Sequence, residues 1–480
     1  MPLKSKIVNP AFTGQARLAT QADLPREQPG DEADDVLFNT LYGVRTIELN
    51  RPKKLNSLNG SMARKIVPRL KEWEKSQMAN VIVMKGAGEK AFCAGGDVAA
   101  LARDNMDGGP EGMKRSKAYF ELEYRLDHLI ATYSKPYVAF MDGISMGGGV
   151  GLSVHAPFRI ATERTVFAMP ECTIGFFPDV GGSFFLPRLD GATGTYLALT
   201  SERLKGVNVF YAGIATHYLH SSSLPDLEGR LAELTFPDAA SLPERCAVIN
   251  STIEEFVTGL PHDEPMAMAG PTREAIDRCF ALDTVEEIVA ALEKEDSPWA
   301  RATLQTLQER SPTAVRVTLR QMRLGRQWNI SETFQREYVL AGKMMAHPDF
   351  VEGISARLIR KPPATPQWAP PPLSSSPASS ETSSGNVDHF FSLEGAERLA
   401  LLNSGRSSDE YAEYPHAWLA LPREAEIEAV VRQGEKSRRQ VVAYFEERTG
   451  QKQGVSKKVW EVLGRKTMEG DGGICSWIAT

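Results

Sequence analysis

The chain has 480 residues but only five cysteines, no CxxC pair and no hydrophobic run long enough to span a membrane. An odd number of scattered cysteines argues against a disulfide framework or a cysteine-based zinc site, and predicts a reducing compartment. A membrane-spanning helix needs about 20 apolar residues. We therefore expect no membrane segment and no metal centre. The cysteines are Cys93, Cys172, Cys246, Cys279 and Cys475.

Acidic residues are missing from the first 22 positions, where Lys4, Lys6 and Arg17 supply a weak positive charge. Acid-free, mildly basic segments with small and hydroxylated residues are typical of mitochondrial import signals. We therefore predict a mitochondrial protein whose residues 1–34 form a targeting segment or a disordered lead-in. The net charge of the whole chain is -6, which argues against a protein built mainly to bind nucleic acid.

Hydrophobic strands alternate with helical patterns over the first part of the chain. Apolar residues on both sides of Tyr42-Gly43 predict a hairpin, and those from Leu58 to Trp73 recur at helical spacing. Apolar runs at Val81–Met84 and Tyr137–Met141 predict buried strands. Strands that alternate with helices indicate an α/β architecture with parallel strands.

A chain of 480 residues is too long for one compact core. Proline and serine dominate the stretch between positions 361 and 385, which predicts a linker, whereas the segments before and after it have helical patterns. We predict five parts, namely a lead-in at 1–34, a core at 35–235, a helical region that completes the fold at 236–362, a linker at 363–388 and a helical extension at 389–480.

Two glycine-rich turns each follow a buried strand and precede a helix. The first lies in AFCAGGDV at 91–98, where Asp97 can cap the helix, and the second is GISMGGGVG at 143–151. Amides at such turns can point at an anion, and two backbone donors from separate turns are the usual construction of an oxyanion hole. A phosphate-binding loop fits less well, because its Lys-Ser/Thr ending is missing.

Two carboxylates lie in apolar surroundings beyond the second turn. Glu171 ends the segment FAMPE, and Asp179 lies within FFPDVGG. Burial raises the pKa of a carboxyl group and is typical of acids that take part in chemistry. A structural reading stays open for both, since Glu171 could cap a turn and Asp179 could bond the amides of Gly181 and Gly182.

Together, the motifs AFCAGGD, GISMGGGVG and FAMPE…FPDVGG resemble the crotonase (enoyl-CoA hydratase/isomerase) superfamily, and within it the branch that hydrolyses 3-hydroxyisobutyryl-CoA. The resemblance runs from about 35 to 362 and includes LNRP at 49–52, FLPRL at 185–189 and DFVEG at 349–353. It implies an α/β fold of the ClpP/crotonase type, in which a spiral of ββα units is followed by a helical C-terminal region.

The resemblance also implies roles for individual residues. The amides of Gly96 and Gly148 match the oxyanion hole of the family, and Glu171 matches its catalytic glutamate. Asp179 matches the second acid of the hydrolase branch, and Glu123 matches an acid that contacts substrate. The implied substrate-binding set is therefore Glu123, Gly148, Glu171 and Asp179.

Position 151 distinguishes hydration from hydrolysis. Hydratases carry a second glutamate three residues after the middle glycine of the GGG turn, where this chain has Gly151. The expected reaction is therefore hydrolysis of 3-hydroxyisobutyryl-CoA to free CoA and 3-hydroxyisobutyrate, a step of valine catabolism. CoA belongs to the substrate, and no separate cofactor is expected. Hydratase or isomerase activity is the first alternative.

The resemblance indicates which partners to expect besides an acyl-CoA, whose adenine end the family seats near residues 50–58. Crotonases are often trimers, but the C-terminal extension could block or replace that interface, so the resemblance leaves a homo-oligomer open. Some relatives of the hydrolase branch serve in the small subunit of the mitochondrial ribosome, which is the second alternative. The basic stretch Arg448–Lys466 is the only sequence feature in its favour, and a solvated helix surface explains that stretch better.

Overall fold

The computed structural model describes residues 24–369, 387–403, 409–470 and 473–478. The acid-free segment at 1–22 and most of the predicted linker at 363–388 therefore lie outside the described residues. Within the described ranges, no helix combines the length and apolar character needed to cross a membrane. The same ranges contain no cluster of His, Cys, Asp and Glu suited to hold a metal ion.

Two sheets carry the first half of the chain. The six-stranded sheet has the order β1-β2-β3-β5-β7-β10 and the four-stranded sheet the order β4-β6-β8-β9. Most neighbours are parallel, while β1–β2 and β8–β9 are antiparallel. The strands are β1 Val36–Leu41, β2 Val44–Leu49, β3 Val81–Gly86, β4 Ala91–Cys93, β5 Tyr137–Met141, β6 Ile144–Met146, β7 Phe158–Ala161, β8 Val166–Ala168, β9 Leu204–Lys205 and β10 His217–Tyr218.

Successive strand pairs divide between the two sheets, which produces the predicted spiral. In each of the pairs β3–β4, β5–β6 and β7–β8, the first strand joins the six-stranded sheet and the second joins the four-stranded sheet. The helices α2 (Val98–Asp107) and α4 (Gly148–Val154) follow β4 and β6 after short turns. Because β4 and β6 are parallel neighbours, the two glycine turns leave the sheet at the same edge.

The helix predicted after the hairpin is α1 (Gly60–Lys75), with Asn59 as its N-cap and Pro68 inside it. Its apolar face packs into the core, as the spacing of Met62, Ile66 and Leu70 predicts. Leu58 is not part of this helix, although the periodicity placed it there. It forms a β-bridge with Gly96 instead, which ties the segment before α1 to the first glycine turn.

Helices dominate the remainder of the core. The long helix α3 (Gly109–Ala131) precedes β5 and is buried along most of its second half. Ser311 is the predicted N-cap, and its side chain accepts from the amide of Ala314. The later helices are α5 Gly182–Phe185, α6 Thr193–Thr200, α7 Val207–Tyr211, α8 Leu224–Ala232, α9 Leu242–Glu254, α10 Gly270–Phe280, α11 Val285–Glu295, α12 Pro298–Gln308, α13 Pro312–Gly325, α14 Ile330–Met345 and α15 Pro348–Ile354.

The C-terminal extension packs directly on the core. Its buried residues Phe445, Val459 and Leu463 belong to the same hydrophobic cluster as Phe184 and Phe210 of the core. The sequence predicted its helices but not the small strand pair that closes it. Its elements are α16 Asp388–Phe391, α17 Glu424–Val431, α18 Arg438–Arg448, α19 Val455–Lys466, β11 Thr467–Glu469 and β12 Cys475–Trp477.

Candidate active site

The two glycine turns lie against each other at the edge of the four-stranded sheet. A Cβ atom built on Gly148 would lie 3.3 Å from the backbone nitrogen of Gly96. Gly148 is the first residue of α4, so its N–H has no acceptor within the helix. The bridge to Leu58 uses Gly95 O and the Asp97 amide, which leaves the Gly96 amide outside that ladder. The two turns therefore bring the backbone of Gly148 close to the Gly96 amide.

Glu171 lies beside the second turn. It begins a 3-10 helix directly after β8, and its side chain is buried. Its Oε1 lies 3.1 Å from the place that a Cβ on Gly147 would occupy. Its Oε2 has no hydrogen-bond partner within the described part of the chain. A buried carboxylate oxygen without a donor is costly, and this one belongs to a side chain that lies against the second glycine turn.

Asp179 and Glu123 complete the set that the resemblance implied. The Tyr124 hydroxyl donates to Asp179 Oδ2 over 2.6 Å, and the Tyr119 hydroxyl donates to Glu123 Oε1 over 3.2 Å. Glu123 Oε1 overlaps the place that a Cβ on Gly148 would fill. Glu123 therefore reaches the second turn from helix α3. The structure brings all five predicted site residues together.

A further buried acid, Asp127, escaped the sequence analysis. It lies one helical turn after Glu123, and neither of its carboxylate oxygens has a hydrogen-bond partner among the described residues. A Cβ on Gly151 would lie 2.6 Å from Asp127 Oδ2 and 2.7 Å from Val180 Cβ. The space for a side chain at position 151 is therefore already occupied. The spacing of four from Glu123 on a buried helix was the available signal.

The loop that carries Asp179 is held from two sides. Glu337 of α14 accepts from the amides of Gly181 and Ser183 over 2.7 and 2.8 Å. His155 Nε2 lies 2.8 Å from the carbonyl oxygen of Val180, so this nitrogen carries the proton and donates. These contacts join positions more than 20 residues apart, and in the case of Glu337 more than 150. No local motif could have revealed them.

The C-terminal extension reaches this loop through His155. Because His155 Nε2 donates to Val180, its Nδ1 is free to accept from the Tyr414 hydroxyl, which lies 2.7 Å away. Burial lowers the pKa of His155 to about 4, so the ring is neutral and keeps this tautomer. Tyr414 thus belongs to the support of the candidate site, although it lies in the extension.

Burial raises the pKa of every acid in the cluster. The pKa of Asp179 rises to about 7, against the opposing effect of the Tyr124 hydrogen bond. For Glu171 and Glu123, burial raises the pKa well above its ordinary value, and the charge of Asp179 raises it further. Asp127 is raised in the same way by burial and by Glu123. Neighbouring carboxylates cannot all ionise at once, so the cluster holds shared protons near neutral pH.

Two sequence expectations about single residues need correction. Asp97 stands at the N-cap position of α2 but makes no capping hydrogen bond there. Its carboxylate instead lies 3.2 Å from Arg51 and 3.4 Å from Lys54, because these cations lie on the segment that runs beside the first turn. The structural reading of Asp179 is also wrong, since the amide of Gly182 bonds the Asp179 backbone oxygen and not its side chain.

The cysteines inside the motifs are not reactive groups. Cys93 and Cys172 are fully buried, and burial raises the pKa of each thiol to about 12. A thiol with so high a pKa carries almost no thiolate at neutral pH, which is the nucleophilic form.

A spiral of ββα units whose paired turns present two amides beside buried carboxylates defines a crotonase-type fold and site. The chain belongs to the enoyl-CoA hydratase/isomerase family, whose model matches residues 44–384. Two solved structures agree over most of the chain. A carnitinyl-CoA dehydratase from Mycobacterium thermoresistibile has a TM-score of 0.63 and 34% identity, covering 76% of this chain and 100% of its own. An enoyl-CoA hydratase from Rhodobacter sphaeroides has a TM-score of 0.61 and 33% identity, covering 77% and 98%.

Relatives that carry two different names are similar in sequence to this chain. The 3-hydroxyisobutyryl-CoA hydrolase, mitochondrial, of Gallus gallus is 45% identical and covers 77% of this chain and 92% of its own length. Small ribosomal subunit protein mS47 of Neurospora crassa is 54% identical and covers 98% of this chain and 93% of its own length. The chain is thus a mitochondrial member of the family, as its N-terminal composition predicted. The Neurospora protein also shares the extension.

Proposed function

We propose that this protein hydrolyses 3-hydroxyisobutyryl-CoA to free CoA and 3-hydroxyisobutyrate. The observation that carries the proposal is the position of Glu171, which lies beside Gly147 in the second glycine turn and whose Oε2 has no hydrogen-bond partner among the described residues. A thioester oxygen seated on the amides of Gly96 and Gly148 would bring its carbonyl carbon next to Glu171. Relatives named 3-hydroxyisobutyryl-CoA hydrolase support the choice of substrate.

The two amides stabilise the negative charge that develops on the thioester oxygen. Glu171 then attacks the carbonyl carbon, the C–S bond breaks, and CoA leaves as the thiolate while a mixed anhydride forms. Water cleaves the anhydride and returns the carboxylate. In the second route, Glu171 takes a proton from water as the water oxygen attacks the carbonyl carbon, the C–S bond breaks, and the departing CoA thiolate receives that proton. Both routes require Glu171 in its ionised form. The cluster of acids must therefore release a proton before Glu171 reacts with the acyl-CoA.

Asp179 and Glu123 act on the acyl group in this proposal. Asp179 accepts from the substrate's 3-hydroxyl or orients the attacking water, and its pKa of about 7 leaves both protonation states accessible. Glu123 contacts the substrate from the side of Gly148. Hydration is disfavoured because Asp127 and Val180 fill the space at Gly151 where a second glutamate would be needed.

The test is release of CoA from 3-hydroxyisobutyryl-CoA by the purified full-length protein, with isobutyryl-CoA and crotonyl-CoA as parallel substrates. Glu171→Gln and Asp179→Asn keep the size of the side chain and remove the carboxylate. We expect each to lower turnover by about 100- to 10,000-fold. Glu89→Gln is the matched control, because the Glu89 side chain is 84% exposed and lies outside the site.

Near-normal rates in both acid variants would contradict the mechanism. Hydration of crotonyl-CoA at a rate that exceeds thioester hydrolysis would contradict the reaction class. The 3-hydroxyl assignment of Asp179 fails if Asp179→Asn affects isobutyryl-CoA, which has no hydroxyl, as strongly as 3-hydroxyisobutyryl-CoA.

A second candidate function is a place in the small subunit of the mitochondrial ribosome. It is favoured by the relatives named mS47, from Neurospora crassa and, at 42% identity, from Schizosaccharomyces pombe. The basic stretch does not support it, because most of its cations are paired within the molecule. Lys458 bonds Asp190 and Arg465 bonds Glu461 over 2.8 and 2.6 Å.

Sedimentation of mitochondrial lysate distinguishes the ribosomal role from a purely enzymatic one. A ribosomal component should travel with the small subunit through a sucrose gradient and remain there in the Glu171→Gln variant. Recovery only at the top of the gradient would contradict the role. Because the acids are all present, one chain can have both functions, and the two assays are independent.

A further inference from the structure

A cavity of about 80 Å³ lies between the core and the C-terminal extension. The core lines it with the end of α4 and with residues 211–214, and the extension lines it with residues 413–423 and with α19. None of the five residues assigned to the active site is among its lining residues. One buried water needs about 10–15 Å³ of such space. The cavity therefore has room for a molecule of roughly five to eight non-hydrogen atoms.

An unpaired cation faces this cavity. Arg159 is buried, and it donates from Nε and Nη1 to the backbone oxygens of Ile214 and Ala156 over 2.6 and 2.8 Å. Throughout the described ranges no carboxylate pairs with it, and burial lowers its pKa to about 10. Both acids that line the cavity already have partners, since Asp190 pairs with Lys458 and Glu413 with Arg423. A buried, uncompensated guanidinium is costly, and an anion would offset that cost.

A second polar atom points to the same occupant. His416 lines the cavity, and its Nδ1 is buried without a hydrogen-bond partner among the described residues. Burial lowers its pKa to about 4, and the charge of Arg159 lowers it further. The ring is therefore neutral, and its Nδ1–H tautomer can donate to an anion that Arg159 also contacts. The neighbouring Tyr414 hydroxyl is committed to His155.

The rest of the wall combines paired charges with an apolar patch. Arg188 and Arg423 pair with Glu413, and Lys458 pairs with Asp190. The apolar patch consists of Phe185, Leu189, Ile214 and Leu421. A phosphate would bury charge against these side chains, whereas an alkyl group would gain by leaving water. Charge at one end and apolar surface at the other are the features of a small organic acid.

We propose that this cavity binds a short-chain monocarboxylate of four or five carbons. The carboxylate bonds Arg159 and His416, and the alkyl group packs on the apolar wall. Such acids have six or seven non-hydrogen atoms, which matches the volume. The inference does not depend on the proposed thioesterase activity, because it rests on a different set of residues.

The test is calorimetric titration of the full-length protein with isobutyrate. Isobutyramide, which has the same shape without the charge, and inorganic phosphate are the comparison ligands. We expect isobutyrate to bind at one site, with the amide and phosphate at least tenfold weaker. Ala420→Leu fills the cavity from the extension and should abolish binding. Ala443→Leu, at an exposed position on α18, is the matched control and should leave it unchanged.

Three results would overturn the proposal. The first is equal affinity for isobutyramide, and the second is tighter binding of phosphate. The third is full affinity for isobutyrate in a folded Ala420→Leu protein, which would place the bound isobutyrate outside this cavity, for example beside Glu171 and Asp179. Arg159→Gln should also lose binding. Arg159 also donates to two backbone oxygens, so a loss of binding in Arg159→Gln counts only if the variant keeps its melting temperature. If the melting temperature falls, the result for Ala420→Leu decides whether the acid binds in this cavity.

Discussion

Charge is buried in two regions of this molecule, and the two regions treat it in opposite ways. Around the glycine turns, Glu171 and Asp127 are buried with carboxylate oxygens that no donor in the described structure satisfies. In the extension, Glu424 lies 3.1 Å from both Arg273 and Arg465, whose side chains are each 3% exposed. The paired carboxylate of the extension joins separate elements, whereas the carboxyl groups without partners beside the glycine turns have raised pKa values, as is typical of acids that take part in chemistry.

Replacement of Glu171 should give the largest effect on activity and the smallest loss of stability. Glu171→Gln removes a buried acid that has little support, so we expect activity to fall by about 100- to 10,000-fold while the free energy of unfolding stays the same or rises. Thioester hydrolysis and urea unfolding measure the two quantities. A parallel loss of stability would mean that Glu171 is a structural residue.

Replacement of Glu424 should do the reverse. Glu424→Gln removes one carboxylate from two nearly buried arginines, which keep Asp277 and Glu461 as partners. We expect a loss of about 1.5–3 kcal/mol in the free energy of unfolding, the usual contribution of a hydrogen bond to a charged group. Activity per folded molecule should change little. The matched control is Glu413→Gln, because the Glu413 side chain is 60% exposed and its pairing with Arg423 contributes little. Equal stability of the two variants would remove the contrast between the regions.

The acid cluster should also make stability depend on pH. The pKa of Asp179 is raised to about 7 in the folded state, so between about pH 4 and about pH 7 the folded protein binds a proton that the unfolded chain releases. The contribution is fully present below the unfolded pKa and is lost as pH rises through about 7. We expect the free energy of unfolding to fall over this window, by less in Asp179→Asn. Urea unfolding at several pH values measures it, and an identical slope in both proteins would contradict the assignment.

The smallest expected effect tests the link between the two regions. Tyr414→Phe removes the hydroxyl that donates a hydrogen bond to His155 Nδ1. We expect the free energy of unfolding to fall by about 1 kcal/mol. We expect turnover to fall a few-fold with little change in KM. The hydrogen bond from His155 to Val180 loosens, while the backbone amides of Gly96 and Gly148 stay in place. Steady-state kinetics provide the measurement. Tyr444→Phe, on an exposed side chain of α18, is the control. An unchanged turnover would show that the extension does not support the catalytic loop.

Local sequence predicted the parts of the site that local sequence builds. Gly96 and Gly148 lie in turns that follow buried strands, and Glu171 and Asp179 lie in short motifs after the next strand. The alternating patterns predicted an α/β fold with parallel strands, and the family resemblance that the motifs carry implied the spiral of ββα units. Each of these features is fixed within a few residues of chain.

The remaining features depend on contacts between distant positions. Glu337 and Tyr414 act on a loop around position 180, across sequence separations of 156 and 259 residues to their immediate partners. Asp127 was missed because only the three-dimensional approach to Gly151 reveals its place. Asp97 was predicted to cap a helix because its position allows it, and nearby cations claimed its carboxylate instead. The five-part division of the chain stays a prediction.

The bond between Tyr414 and His155 has a consequence for how the molecule becomes functional during its synthesis. The glycine turns and all of the acids near Glu171 are translated before residue 414, so a nascent chain can form the spiral while its final segment is still inside the ribosome or a translocation channel. The catalytic loop gains its last support only after that segment is released. For the activity proposed above, the complete site therefore forms only after residue 414 has been released and has packed on the core.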